Sequence, residues 1–176
     1  LISSIVISIM TSILFFFKDN FSYIFLRFEN WINTNNISYQ SEKSIDAIKH
    51  GGFFGQGIGE GILKEKIPEA HTDYVLASIS EEYGIVAIII ILIIVFSLFM
   101  RVFAICQNEI SNFKKYTLIA LSTLVLLQIF INVGVTINLL PSTGMTFSFL
   151  SYGGSSILTS SFIMGIILAL TKNRLL

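Results

Sequence analysis

The 176 residues carry 11 basic and 11 acidic side chains, 53% are apolar against 12% charged, and 16 are phenylalanine. Zero net charge with no basic stripe excludes an electrostatic binder of nucleic acid, and so little charge excludes a soluble domain, which carries about 25%. The chain reads as an integral membrane protein, all-α and polytopic.

Four stretches lack any charge: Leu1–Phe17, Tyr83–Met100, Tyr116–Leu140 and Ser142–Thr171. A hydrocarbon core takes about 20 helical residues, which predicts transmembrane helices over residues 1–17, 74–100, 116–140 and 148–171. The second reaches full length by taking in Tyr74–Glu82. Pro141 and Gly144 divide the last charge-free run, so residues 141–147 are expected to form a connector. The chain opens at Leu1 inside an apolar stretch, with neither the initiator Met nor the basic region of a signal peptide, and reads as a fragment whose first helix is cut short. Arg101, Lys114 and Lys115 assign residues 101–115 to the cytoplasm, and Lys172 and Arg174 do the same for residues 172–176. Residues 18–73 then form a large outer loop. The lone Cys106 has no partner for an internal disulfide.

Within that loop, Phe21, Ile24, Phe25, Phe28, Trp31 and Ile32 recur at helical spacing. They predict an amphipathic helix that lies in the interface or packs on other spans. A second short helix is expected over Ser41–His50, stopped by Gly51 and Gly52. Six glycines then fall in the eleven residues Gly51–Gly61. The dinucleotide pattern fails there, because Glu60 and Ile62 occupy its third glycine positions, and no Lys-Ser or Lys-Thr pair follows to make a phosphate loop. Two readings remain: a close-packed turn, or a loop that lets a substrate approach the backbone. His50 and His71 are too far apart, with no Cys nearby, for structural zinc. Loose Mg²⁺ or Mn²⁺ binding between carboxylates and a pyrophosphate stays open.

Ile67-Pro68-Glu69-Ala70-His71-Thr72-Asp73-Tyr74 place a carboxylate and an imidazole where the loop meets the second span. Pro68 biases Ile67 away from the α region, and Thr72 is a good N-cap, so the helix is expected to begin at Asp73. Asp73 would then lie in the first turn, where the backbone N–H groups favour an anion. Glu81 would fall about 12 Å along the axis and Glu82 on the opposite face, a poor match to the paired carboxyls of a glycosidase. Both glutamates mark either a path through the membrane or a paired structural network. One base to activate a hydroxyl, plus cations beside a pyrophosphate leaving group, would suffice for sugar transfer. Asp73 supplies the base, and Lys64 or Lys66 the cation.

Farther on, Gly144-Met145-Thr146-Phe147-Ser148-Phe149-Leu150-Ser151-Tyr152-Gly153-Gly154-Ser155-Ser156 interrupts an apolar region with hydroxyls and glycines. It serves either close helix packing or the lining of an outer cavity. Gln128, Asn132 and Asn138 extend a polar face along the preceding span.

The two motifs in this order, with the glycine-rich segment before them, resemble the SEDS family of cell-wall polymerases. The residues that carry the resemblance include Gly55, Gly57, Gly59, Pro68–Asp73, Glu81-Glu82, Gly84, Asn132, Pro141, Gly144 and Ser151–Ser156. Ala70 and Thr146 tilt it toward the division branch rather than the elongation branch. The resemblance implies a ten-span fold of which this is the C-terminal part. It implies polymerisation of lipid II into glycan strands at the septum of the bacterial cytoplasmic membrane, with release of undecaprenyl pyrophosphate, beside a class B penicillin-binding transpeptidase and other divisome proteins. It assigns catalysis to Asp73. Glu69, His71, Thr72, Lys64, Lys66, Ser151, Tyr152, Gly153, Gly154, Ser155 and Ser156 are the expected substrate-binding residues, with no resident metal ligands. Ser148 stands where the family usually has Pro, and Phe53 where Trp is common. A lipid II flippase and a non-catalytic scaffold for the transpeptidase are the competing readings.

Overall fold

A computed structural model describes residues 27–29, 31–32 and 38–172. The expected helix over residues 1–17 and most of the amphipathic segment lie outside the described residues. Within that segment, Arg27–Glu29 and Trp31–Ile32 are helical, and Phe28 meets Trp31 edge to face at 5.7 Å. The unit from Tyr39 onward contains four α-helices among the described residues and no strand: α1 (Tyr39–Gly51), α2 (Val75–Gln107), α3 (Asn112–Thr136) and α4 (Gly154–Thr171). A 3₁₀ turn, Lys64–Lys66, lies between α1 and α2.

The helices α2, α3 and α4, of 33, 25 and 18 residues, are each long and apolar enough to cross a membrane. Their shared core is built by Leu76, Phe99 and Cys106 of α2, Leu118, Val125 and Ile129 of α3, and Ile163 and Ile167 of α4, with Phe147 of the connector. A second core binds α1 to the base of the spans through Ala47, Ile67, Ala70, Tyr74, Ala77 and Val135. In lipid the hydrophobic effect gives helices little reason to associate, so close contact and hydrogen bonds carry the packing. One such bond joins α1 to the end of α3, where Ser44 Oγ donates to Thr136 O at 2.8 Å.

The short helix expected over Ser41–His50 is α1, and Gly52 ends it in the left-handed region at φ 56°. The spans differ from the expected bounds at both ends. The loop expected at 101–115 shrinks to residues 108–111, because α2 continues to Gln107 and α3 already begins at Asn112. At 33 residues α2 is longer than the about 20 that a hydrocarbon core takes. Expected to reach residue 140, α3 stops at Thr136 because Asn138 turns left-handed at φ 59° and Leu139 and Leu140 N–H both return to Gly134 O.

The fourth span begins at Gly154 rather than residue 148. Ser151 Oγ captures Phe147 N–H, and Leu150 N–H closes a turn on Phe147 O at 3.3 Å with Phe149 at φ 70°. That is the backbone of a type II turn with Ser148 in its second position, where proline is favoured. Among the described residues Ser148 N–H has no hydrogen-bond partner, and its buried hydroxyl has none either. Ser148→Pro is therefore expected to stabilise the intact protein by about 1 kcal/mol, through a stiffer unfolded chain and the loss of an orphaned hydroxyl. A rise in the thermal midpoint in detergent checks it, and a fall would contradict the turn assignment.

The expected uninterrupted span from Tyr74 is broken at Gly84, which has φ 79° and ψ 173° inside α2. A helix broken here loses the bonds from Ile85 and Val86 N–H back to Glu81 and Glu82 O. The glycine segment supplies replacements on both sides. Gln56 and Gly57 N–H donate to Glu81 O (2.9 Å) and Glu82 O (3.1 Å), while Ile85 and Val86 N–H donate to Gly52 O (3.0 Å) and Phe53 O (3.4 Å). Backbone approaches backbone so closely that a Cβ on Gly55 would strike Glu82 O, and one on Gly84 would strike Phe53 O. Of the two readings of the glycines, the close-packed turn is the one formed.

Candidate active site

Two polar clusters form near the Val75 end of α2. The first surrounds Asp73. Glu69 is left-handed at φ 60°, which turns its carbonyl toward Thr72 N–H (3.1 Å), Tyr74 N–H (3.3 Å) and Thr72 Oγ1 (3.2 Å). Thr72 Oγ1 also donates to the Glu69 carboxylate at 2.7 Å. The expected N-cap is thereby corrected: the Thr72 hydroxyl is spent on Glu69, the capping position falls on Tyr74, and Val75 is the first helical residue. Asp73 sits just before the helix rather than in its first turn.

Three successive carbonyls of this turn are held from the second motif and α3. His71 O accepts from Tyr152 N–H (2.8 Å), Thr72 O from Ser151 Oγ (2.5 Å) and Asp73 O from Asn132 Nδ2 (2.9 Å). Asn132 Nδ2 donates to Met145 O as well (2.7 Å), and Gln128 Nε2 donates to Thr146 O (3.0 Å). Two carbonyl acceptors on one atom settle which end of the Asn132 side chain is the amine. The two motifs, 78 positions apart between Asp73 and Ser151, are thus one unit. Gly144, at φ 73°, faces the carboxylate: a Cβ there would lie 3.7 Å from Asp73 Oδ2. His71, Val75, Leu150 and Tyr152 border a pocket of about 410 Å³.

The second cluster is centred on Glu81, which has no exposed surface. Its carboxylate accepts from Leu63 N–H (2.8 Å), Lys64 N–H (2.7 Å) and His50 Nδ1 (3.1 Å). Glu82 pairs with the Lys64 ammonium and accepts from Gly59 N–H at 3.3 Å. The hydrogen bond to Glu82 holds the Lys64 pKa above the ordinary lysine value. Of the two readings of these glutamates, the structural network is the one formed, and it fastens the glycine segment and the 3₁₀ turn to α2.

The expected binding residues accordingly divide. Asp73, His71, Thr72, Ser151 and Tyr152 come together, with Glu69 behind them. Ser151 is buried and holds backbone, whereas Tyr152 is 83% exposed beside the exposed His71. Gly153 and Gly154 open α4, and a Cβ on Gly153 would strike the Ser156 hydroxyl, which itself donates to Gly153 O at 3.0 Å. The exposed Ser155 lends its carbonyl to Thr159 Oγ1. Lys64 belongs to the Glu82 cluster instead, and Lys66 is exposed. Sequence reasoning placed Asn132 and Gln128 on a polar face without seeing their task, and passed over Gly144 as a neighbour of Asp73. An uncharged amide inside an apolar span was the available signal. Asn132→Ala, which leaves two carbonyls without their donor, is expected to destabilise the intact protein by about 2 kcal/mol. A thermal midpoint unchanged from wild type would show that the two motifs do not depend on this bridge.

No group of three His, Cys, Asp or Glu side chains suited to a metal occurs among the described residues.

These features define a polytopic α-helical membrane protein that holds a carboxylate where a polar turn enters a membrane helix. The chain belongs to the FtsW/RodA/SpoVE family of cell cycle proteins, whose sequence model matches residues 1–175. It is 32% identical over 160 residues to an Enterococcus hirae protein named "Probable peptidoglycan glycosyltransferase FtsW", covering 90% of this chain and 40% of the relative. Proteins of the same name from Lactococcus lactis and Buchnera aphidicola are 42% and 36% identical, over 85% and 91% of this chain and 36% and 44% of their own length. The chain thus spans less than half the length of these relatives. A solved structure concerned with the coordination of polymerization and crosslinking by a peptidoglycan synthase complex aligns with a TM-score of 0.59 at 25% identity, covering 76% of this chain and 37% of that one.

Proposed function

We propose that this chain is the catalytic C-terminal part of a peptidoglycan glycosyltransferase that polymerises lipid II into glycan strands during cell division. Asp73 would take the proton from the acceptor sugar hydroxyl as that oxygen attacks the anomeric carbon of the donor, inverting it and releasing undecaprenyl pyrophosphate. The observation that carries the reading is the Asp73 carboxylate held over Gly144 by a turn whose carbonyls are pinned at three consecutive residues. Such bracing suits a base that must meet a hydroxyl within hydrogen-bond reach. The pocket bordered by His71, Val75, Leu150 and Tyr152 offers room for part of a sugar.

The leaving pyrophosphate needs neutralising charge, for which Lys66 is available without breaking a pair, while Lys64 would have to leave Glu82. In this reading residues 18–73 and the 141–147 connector face the outside of the cytoplasmic membrane at the septum, with Arg101, Lys114, Lys115 and Lys172 inside. The partners are a class B penicillin-binding transpeptidase and other divisome proteins, and the full fold has ten spans. A transport path would need Glu81 and Glu82 to face substrate, and both are engaged with the loop. The test is lipid II polymerisation by the intact protein with its transpeptidase, wild type against Asp73→Asn.

A further inference from the structure

Packing demands glycine at Gly55 and Gly84, where a Cβ would lie 2.1 Å from a carbonyl oxygen of the facing segment. At Gly144 it makes no such demand. Among the described residues, and its chain neighbours apart, the one atom that a Cβ there would meet within 4 Å is Asp73 Oδ2, at 3.7 Å, an ordinary contact distance. Backbone conformation does not require glycine either. Gly144 is left-handed at φ 73°, but so are Glu69 at 60°, Asn138 at 59° and Phe149 at 70°. What the missing side chain leaves is open space beside a carboxylate oxygen.

That space is held at a set position. The fully buried Asn132 donates from one nitrogen to Asp73 O (2.9 Å) and to Met145 O (2.7 Å), so the turn that carries Asp73 and the connector that carries Gly144 are tied side by side. Gln128 Nε2 holds the next connector carbonyl, Thr146 O, at 3.0 Å. Gly144 is itself exposed, with exposed Thr143 and Met145 on either side. A hydroxyl that gives up its proton must come within about 3 Å of the carboxylate oxygen, and the ring that bears it must rest against whatever adjoins that oxygen. Glycine is the residue that lets backbone and ligand approach closely.

We propose that Gly144 determines access of the acceptor: the acceptor sugar reaches Asp73 across the bare Cα of Gly144, its ring lying where a side chain would otherwise stand. The inference rests on the general-base role of Asp73. The hydroxyl proton passes to the Asp73 carboxylate, the hydroxyl oxygen bonds to the anomeric carbon of the donor, and the bond from that carbon to the pyrophosphate oxygen breaks with its electron pair leaving on the pyrophosphate. A side chain at position 144 displaces the ring and leaves the carboxylate in place, so acceptor binding suffers first.

The test measures access to Asp73 directly. In the intact protein, a water-soluble carbodiimide couples glycine ethyl ester to accessible carboxylates, and peptide mass spectrometry reads the rate at Asp73. Gly144→Ala is expected to slow that rate several-fold. Gly144→Asn, whose larger side chain accepts the left-handed region, should slow it further and carries the test if the alanine variant does not fold. Gly59→Ala controls for backbone strain: Gly59 is left-handed at φ 82° with nothing within 4 Å of its Cβ position, and the variant should label at Asp73 as wild type does. Lipid II polymerisation by the Gly144 variants with the transpeptidase should fall in step, through a raised KM more than a lowered kcat. Thermal midpoints near that of wild type confirm that each variant is folded. A wild-type Asp73 that does not label, unaltered labelling in the folded Gly144 variants, or equal slowing by Gly59→Ala overturns the proposal, whatever the polymerisation rate. Undiminished polymerisation by Asp73→Asn removes the base role and this role of Gly144 with it, and is told apart because labelling would still depend on residue 144.

Discussion

Asp73→Asn in the intact protein, assayed with its transpeptidase and lipid II, is expected to reduce glycan polymerisation by about 10²- to 10⁴-fold, the usual worth of a positioned general base. That corresponds to about 3–5 kcal/mol of transition-state stabilisation. The substitution keeps size and shape. The bond from Asn132 goes to the backbone carbonyl of residue 73, which the substitution leaves in place, and a thermal midpoint measured beside the activity separates loss of chemistry from loss of fold. Loss of activity in a folded protein is then attributable to the missing base. Undiminished polymer would remove Asp73 from the mechanism. Lipid II movement across protein-only liposomes that is insensitive to the substitution would point to transport, and full complementation of a division-defective null strain by the Asn variant to a scaffold.

The second large effect is structural. Glu81→Ala is expected to destabilise the protein by about 3 kcal/mol, because Leu63 and Lys64 N–H lose their shared acceptor and His50 loses its partner. The damage should be local. Amide exchange should quicken over residues 52–66 before the spans are affected, since that segment is tied to α2 through residues 81–86. Glu81→Gln, which keeps one acceptor oxygen, should retain part of the stability. Glu82→Ala is the contrast: its partner Lys64 is a partly exposed ammonium, so the midpoint should change little. Equal effects of Glu81→Ala and Glu82→Ala would show that the buried carboxylate does not anchor the loop.

Most of the architecture was legible in the chain because bilayer thickness imposes a length on apolar runs. The spans expected at 74–100, 116–140 and 148–171 overlap α2, α3 and α4, and the stop at Gly51-Gly52 corresponds to the end of α1. Helix ends were less legible, because each was decided by a competing hydrogen bond. Thr72 turned to Glu69 instead of capping α2, Ser151 drew Phe147 out of α4, and Asn138 closed α3 four residues early. Local propensity ranks such choices only weakly when a side chain has two acceptors within reach.

Composition, the spacing of charges and the two polar motifs by themselves determined that this is a membrane protein with Asp73 at a junction of loop and span. They also carried the family resemblance. Only the tertiary structure decided what surrounds that carboxylate and what the glutamates do. Asn132 and Ser151 reach Asp73 and Thr72 from 59 and 79 positions away, and Gly52–Gly57 fill a helix break whose cause, Gly84, is silent in a hydrophobicity pattern. Bonds between distant backbone groups carry no mark in local sequence, since every residue offers the same carbonyl and nearly every one the same N–H. Which of them meet is settled by packing.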